Sequence, residues 1–346
     1  MKKKLLYFHN GKSSFVEKDI SILSEYYDLK EFEFKTKHKF LVPIEFIRQF
    51  LYLLRYLNVT KSVIQFAGYH SFIPVIFKKM AKKKVLIILG GTDCVNFPSI
   101  KYGSFYKNPL RFFTSFSLHN ASFLAPVDQS LVKYEYIYQN ADFNGQGFLY
   151  HYPKIKTDYK IIYNGYHSYK WKMKEKNKNT FVTIGANLNS RFAFKLKGID
   201  LFIELAKNIP NGQFYIVGGK NLKQSIPSNI ILLDNIPNHQ LPDFLSDKQF
   251  YLQLSMSEGF PNALCEAMLS GCIPIVSSVG GMTMIVKDCG IILEKKSILD
   301  LTNSVKKLMK DDKEIDILSK ESRKRIAEKF TIEQREDKLI KLIQNF

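Results

Sequence analysis

Apolar residues along this chain follow two rhythms. Short unbroken apolar runs read as buried strands, and longer stretches repeating every three or four residues read as amphipathic helices. Residues 4–8 are such a run. A polar turn at 9–13 follows, then a helical pattern over 16–27. Residues 62–67, 84–89 and 121–126 predict further buried strands, with a lysine-rich helical stretch between the first two, and residues 159–163 predict a short last strand ending at Asn164-Gly165. Strands alternating with helices imply a parallel sheet with helices on its faces. Residues 40–57 are strongly apolar but carry Glu45, Arg48 and Arg55. Those charges exclude a simple membrane span and predict an amphipathic helix, packed or interfacial.

Residues 170–179 are dense in Lys and poor in apolar side chains, which predicts a linker. A second alternation then begins. Strands are expected at 181–184, 213–217, 230–233, 250–254, 273–277 and 290–293, and helices at 199–208, 241–246, 262–269 and 299–309. One or two more helices are expected over 319–345. Two α/β domains follow: residues 1–168, then 169–327, with a helix at about 328–346 returning to the first. A length of 346 residues accommodates two such cores.

Composition sharpens this picture in two ways. The net charge is +19, and residues 1–200 hold 32 Lys and Arg against 14 Asp and Glu, so the excess belongs to the first half. Such a surface suits phosphates, with an anionic membrane preferred as partner over a merely solvated lysine-rich surface or nucleic acid. The four cysteines, Cys94, Cys265, Cys272 and Cys289, match no zinc spacing and read as reduced, buried, cytosolic thiols. The apolar run at the start is too short for a signal peptide, and no stretch is long enough to span a bilayer.

The chemistry concentrates in Ser257-Glu258-Gly259-Phe260-Pro261-Asn262-Ala263-Leu264-Cys265-Glu266, followed by Gly271, Pro274 and Gly280-Gly281. The pattern is a strand, an acidic residue, a tight Gly/Pro turn, and a helix beginning near Asn262. It stands at the carboxyl end of a parallel strand, where open α/β sheets bind ligands. Amides of Gly259, Phe260, Asn262 and Ala263 at a helix N-terminus can cradle phosphate or sugar oxygens. Glu258 at the loop mouth and Glu266 one turn into the helix can each accept bonds from vicinal hydroxyls.

This run resembles the signature of the large family of retaining GT-B glycosyltransferases (glycosyl transferases group 1), in which two glutamates are separated by seven residues. The resemblance implies an α/β fold of two Rossmann-like domains facing a central cleft. It implies transfer of a sugar from a nucleoside diphosphate sugar, a UDP- or GDP-sugar, with retained configuration and no metal or other cofactor. Glu258 would contact the donor sugar, Gly259, Phe260, Pro261, Asn262 and Ala263 would bind sugar and diphosphate, and Glu266 would bind the ribose. Lys197-Gly198 matches the family's Lys-Gly, so Lys197 would stabilise the departing diphosphate. Ala186-Asn187 occupy the place of the family's arginine, and Arg191 is the candidate replacement. Asn235-Ile236-Pro237 resembles the segment that meets the base.

The resemblance thins toward the N-terminus. Gly11 matches the loop facing the diphosphate. Gly90 stands where many relatives carry a histidine near the reacting carbon, and Asp93 remains as the candidate to contact donor sugar or acceptor hydroxyl. His70 reads as a packed histidine. With the basic first half, the implied acceptor is a saccharide, preferably lipid-linked, at the inner face of a bacterial membrane, in surface polysaccharide or glycan assembly. The competing functions are a non-catalytic sugar-nucleotide-binding assembly subunit and another enzyme on the same fold, such as a nucleotide-sugar epimerase.

Overall fold

A computed structural model describes residues 2–35, 39–139 and 143–346. By their internal contacts the residues form two compact units. The first runs from the N-terminus to Glu135 and adds Gly145–Asn164 and Glu333–Phe346; the second comprises Tyr136–Asn144 and Gly165–Ile332.

In the first unit, strands β1 (Lys4–His9), β2 (Asp28–Glu33), β3 (Lys61–Gln65), β4 (Lys84–Leu89) and β5 (Phe123–Pro126) form one sheet in the order β2-β1-β3-β4-β5. Every pairing is parallel. After their first residues, β1 and β4 are buried throughout, as strands covered on both faces must be. Helices α1 (Ser14–Tyr26), α2 (Val42–Arg55), α3 (Tyr69–Ala81) and α4 (Leu110–Asn120) supply that cover. Strand β2 carries no apolar run, because as an edge strand it buries only Phe32. The expected strand at 159–163 is an extended segment instead. It makes one bridge, Tyr159 to Leu124, and lies along β5 through bonds such as Ile162 N to Pro126 O at 3.0 Å. A two-stranded ribbon, β6 (Tyr134–Glu135) with β7 (Gly145–Gln146), and the one-turn helix α5 (Phe148–His151) complete this part of the chain.

The second unit holds β8 (Asn177–Ile184), α6 (Arg191–Leu196), α7 (Ile199–Asn208), β9 (Gln213–Val217), β10 (Ile230–Leu233), α8 (Leu241–Leu245), β11 (Lys248–Gln253), α9 (Asn262–Leu269), β12 (Ile273–Ser277), α10 (Met282–Val286), β13 (Ile291–Leu293), α11 (Ile298–Leu308) and α12 (Asp312–Lys329). Its parallel sheet has the order β10-β9-β8-β11-β12-β13. The expected linker ends early, because β8 begins at Asn177 with three polar residues before its buried run. Phe181 stacks between Phe214 and Phe250 at 4.4 and 4.8 Å, tying β8 to both neighbours in the core.

The last helix, α13 (Ile332–Asn345), belongs largely to the first unit. Arg335 anchors it there. The guanidinium donates to both carboxylate oxygens of Asp19 on α1, each at 2.7 Å, and to the carbonyls of Ile162 and Tyr163. Both partners are buried, so the bidentate pairing offsets a large desolvation cost. All four cysteines are buried. No described helix is long and apolar enough to cross a membrane.

Candidate functional site

The strand order of the second unit reverses between β8 and β11, and in open parallel sheets ligands bind outside the carboxyl ends of strands at such a switch point. The loop after β11 carries Glu258 and leads into α9, which no side chain of the N-cap residue Pro261 caps. The loop after β8 leads to α6 and Lys197.

Three side chains hold Glu258. Lys197 Nζ donates to Glu258 Oε1 at 2.6 Å, Ser255 Oγ at 2.7 Å and Gln253 Nε2 at 2.8 Å. The Glu258 side chain is 12% and that of Lys197 27% exposed, so the pair is held by protein yet open to a ligand. The chain reaches this geometry through Gly198. It takes φ +66°, and a Cβ there would stand 2.0 Å from the Leu254 carbonyl oxygen, so only glycine lets the turn before α7 pass against the end of β11. Met256 N to Leu196 O at 2.8 Å fastens the same two segments. Gly281 N donates to Gly259 O at 3.0 Å, which seats the Gly-Gly turn on the Glu258 loop.

Glu266 is buried, and both of its oxygens face Asn238 Nδ2 at 3.3 Å. The structure thus joins the second glutamate to the segment just after Asn235-Ile236-Pro237. Both glutamates act electrostatically on the buried Tyr251 hydroxyl, raising its pKa further after desolvation has raised it most. That hydroxyl donates to Gln253 Oε1 at 2.8 Å, so a buried polar chain runs from Tyr251 through Gln253 to Glu258. Phe260 is buried and packs edge-on against Phe330, with ring centroids 5.2 Å apart. Asn262 Oδ1 accepts the Tyr166 hydroxyl at 2.6 Å. These two side chains brace the loop. Gly259 and Pro261 are buried and Ala263 is half-buried. Arg191 opens α6, and its side chain lies outside the described residues.

In the first unit, Asp93 stands where the loops after β3 and β4 meet. Asp93 is buried, and its carboxylate accepts the amides of Ala67 at 3.0 Å, Gly90 at 3.2 Å and Gly91 at 3.0 Å. It ties the loop after β3 to the loop after β4. Burial raises its pKa, and those amides oppose the rise. A Cβ at Gly90 would lie 1.8 Å from the Phe66 ring, so a larger residue there would require the ring to move. His70 is a core histidine, its Nε2 bonded to the Gln65 carbonyl at 2.6 Å. Gly11 lies in the loop after β1 with φ +141°.

Sequence reasoning missed Gln253, Ser255 and Asn238 as partners of the glutamates. Gln253 had a signal, since an amide inside the apolar run Phe250–Leu254 demands a buried partner.

Part of the chain resembles known proteins in sequence, and most of it resembles solved structures in fold. Residues 170–327 match the family described as glycosyl transferases group 1. A stretch of 141 residues, 38% of this chain, is 30% identical to the Escherichia coli UDP-Gal:alpha-D-GlcNAc-diphosphoundecaprenol alpha-1,3-galactosyltransferase. That stretch spans only 36% of the relative's length. Among solved structures, the sucrose-phosphate synthase of Thermosynechococcus elongatus superposes with a TM-score of 0.77 at 13% identity, covering 99% of this chain and 98% of that one. Anabaena HepE, solved with UDP and glucose, superposes with a TM-score of 0.75 at 14% identity, covering 99% and 100%. At these identities the likeness establishes the fold, which is GT-B.

Proposed function

We propose that this chain, whose residues 170–327 match the family of glycosyl transferases group 1, transfers a sugar from a nucleoside diphosphate sugar to a saccharide acceptor with retention of anomeric configuration. The observation that carries the reading is the Lys197–Glu258 pair, held at 2.6 Å at the carboxyl end of β11 and backed by Gln253 and Ser255.

The three bonds to Glu258 all fall on Oε1, which leaves Oε2 to accept hydroxyls of the donor sugar. The Lys197 ammonium stands where negative charge grows as the bond from the anomeric carbon to the diphosphate breaks. A fixed cation and the loop amides Gly259–Ala263 stabilise that charge more in the transition state than in the bound donor. The acceptor oxygen forms the new bond, and its proton leaves with the diphosphate. Glu266 and Asn238 suit the nucleoside's ribose. No step here calls for a divalent metal.

A lipid-linked saccharide is the preferred acceptor. The Escherichia coli relative is named for a diphosphoundecaprenol-linked one, and the basic first 200 residues suit anionic groups. Peripheral attachment at the inner face of the cell membrane belongs to the same reading. A thermal-shift screen across UDP, GDP and their sugars tests the donor assignment, since saturating ligand stabilises the folded state by a few kcal/mol. Stabilisation by a nucleoside diphosphate, followed by turnover with its sugar in the presence of a chelator, is expected. No stabilisation by any of them would refute the reading.

A further inference from the structure

We propose that the outer face of helix α2, with cations from α3 and α4, is a docking surface for an anionic phospholipid bilayer. Helix α2 buries Val42, Gln49 and Leu53 and packs its aromatic side on its neighbours. Phe46 lies 5.8 Å from Phe72 on α3 and 5.5 Å from Phe113 on α4. The opposite side of α2 is as apolar as the packed one. Ile44, Ile47 and Leu51 each expose more than half of their surface, and Leu54 exposes 40%. At 100° per residue these four share one arc, roughly opposite the buried positions. A solvated helix face carries polar side chains here, whereas this one carries a ridge of Ile and Leu.

The occupant follows from charge. Helices α2, α3 and α4 contain a single acidic residue, Glu45, which is buried against Arg48. From residue 46 to residue 127 the only acid is Asp93, already consumed by three backbone amides. Eleven Lys and Arg occupy the same stretch. Arg55, Lys79, Lys82 and Arg111 are exposed, and Arg55 stands beside the ridge on α2. Aliphatic side chains beside unopposed cations suit a headgroup boundary, the chains entering the acyl edge while the cations meet phosphate. An apolar protein partner would need no such excess of one sign.

This face extends the membrane part of the reading above. Vesicle binding needs no donor, acceptor or turnover, so failure here leaves the transferase reading standing. The test is co-sedimentation of the full chain with vesicles of phosphatidylglycerol in phosphatidylcholine, against phosphatidylcholine alone, at low and high salt. Binding to the anionic vesicles only, weakened by salt, is expected. The double variant Ile47→Glu/Leu51→Glu should lose at least about tenfold in binding, because both positions move from the acyl edge to repulsion by phosphate. Its melting temperature should hold, since both side chains already face water. Leu299→Glu, an equally exposed leucine in the second unit, should bind as wild type. Arg55→Gln/Lys79→Gln, which leaves the ridge intact, should weaken anionic binding alone. Equal binding to neutral vesicles, or unchanged binding by the Ile47/Leu51 variant, would overturn the proposal. So would a lipid-free dimer that the same variant abolishes, because the ridge would then be a contact between copies.

Discussion

Two loops in this molecule hold the same post and do different things with it. Each follows the carboxyl end of an interior parallel strand and each presents an acidic residue: Asp93 after β4, Glu258 after β11. Asp93 is buried and gives its oxygens to three backbone amides. Glu258 is partly open and is held on one oxygen by three side chains. A carboxylate bound by the backbone of two loops is spent on their shape. One held on a single oxygen by movable side chains can still turn the other oxygen toward a ligand. Position at the end of a strand therefore does not by itself decide function, and the kind of donor that satisfies the acid is a second thing to weigh.

Removing each acid is the sharpest way to break this contrast. Glu258→Ala should lower turnover on the order of a thousandfold with modest loss of nucleotide affinity, because the lost contact acts mainly in the transition state. Steady-state kinetics beside a nucleotide titration would show it, and an unaltered kcat would end the assignment. Lys197→Ala comes next, with kcat/KM falling by about 10²–10³. Asp93→Ala should act on stability instead. It strands the Ala67, Gly90 and Gly91 amides at a cost of about 1–3 kcal/mol for each group left unsatisfied. Its denaturation midpoint should fall, and nucleotide binding to the second unit should stay unchanged.

What the sequence displayed follows the same division. The stretch Ser257 to Gly281 was legible because its chemistry is local: strand, acid, glycine turn and helix start are adjacent in the chain. Lys197 was legible through Gly198, whose need for a close approach leaves a visible glycine. The pairing of Glu258 with Gln253 and of Glu266 with Asn238 is tertiary, and only the odd glutamine in an apolar strand pointed to it. The role of Asp93 was hidden because an acid after a buried strand looks the same whether amides or a ligand will take it. Strand β2 escaped notice because an edge strand with one buried residue leaves no apolar run. Nor did any local pattern reveal that Tyr136–Asn144 belongs to the second unit; Tyr138 is buried there, and its carbonyl accepts the Lys296 amide at 2.7 Å.

Gln253→Leu sharpens the comparison on the open side. Leucine keeps the volume but removes the amide between Tyr251 and Glu258. With Lys197 and Ser255 still in place, kcat should fall about tenfold, the value of one charge-assisted hydrogen bond. Nucleoside diphosphate affinity should hold, since Glu258 is assigned to the sugar. An equal loss in affinity and kcat would instead make Gln253 a general support of the loop.

The smallest expected effect tests the buried side, where the loop after β3 leads into α3. His70 is fully buried beside this loop, and desolvation lowers its pKa from 6.5 to about 4. Its Nε2 donates to the Gln65 carbonyl in either protonation state, and it is burial that favours the neutral ring. A histidine with a depressed folded-state pKa contributes stability that is present above its unfolded value and is lost as pH falls toward the folded one. Between pH 7.5 and 5.5 the loss from His70 should be on the order of 1 kcal/mol. His151, held near 4 by burial and by Arg111, adds a loss of the same sign. His70→Gln keeps a donor for Gln65 but cannot titrate. Urea denaturation at the two pH values should therefore show a smaller acid destabilisation in this variant than in the wild type. An unchanged pH dependence would mean that protonation of His70 is tolerated, and that the loops around Asp93 are less closed to charge than their burial implies.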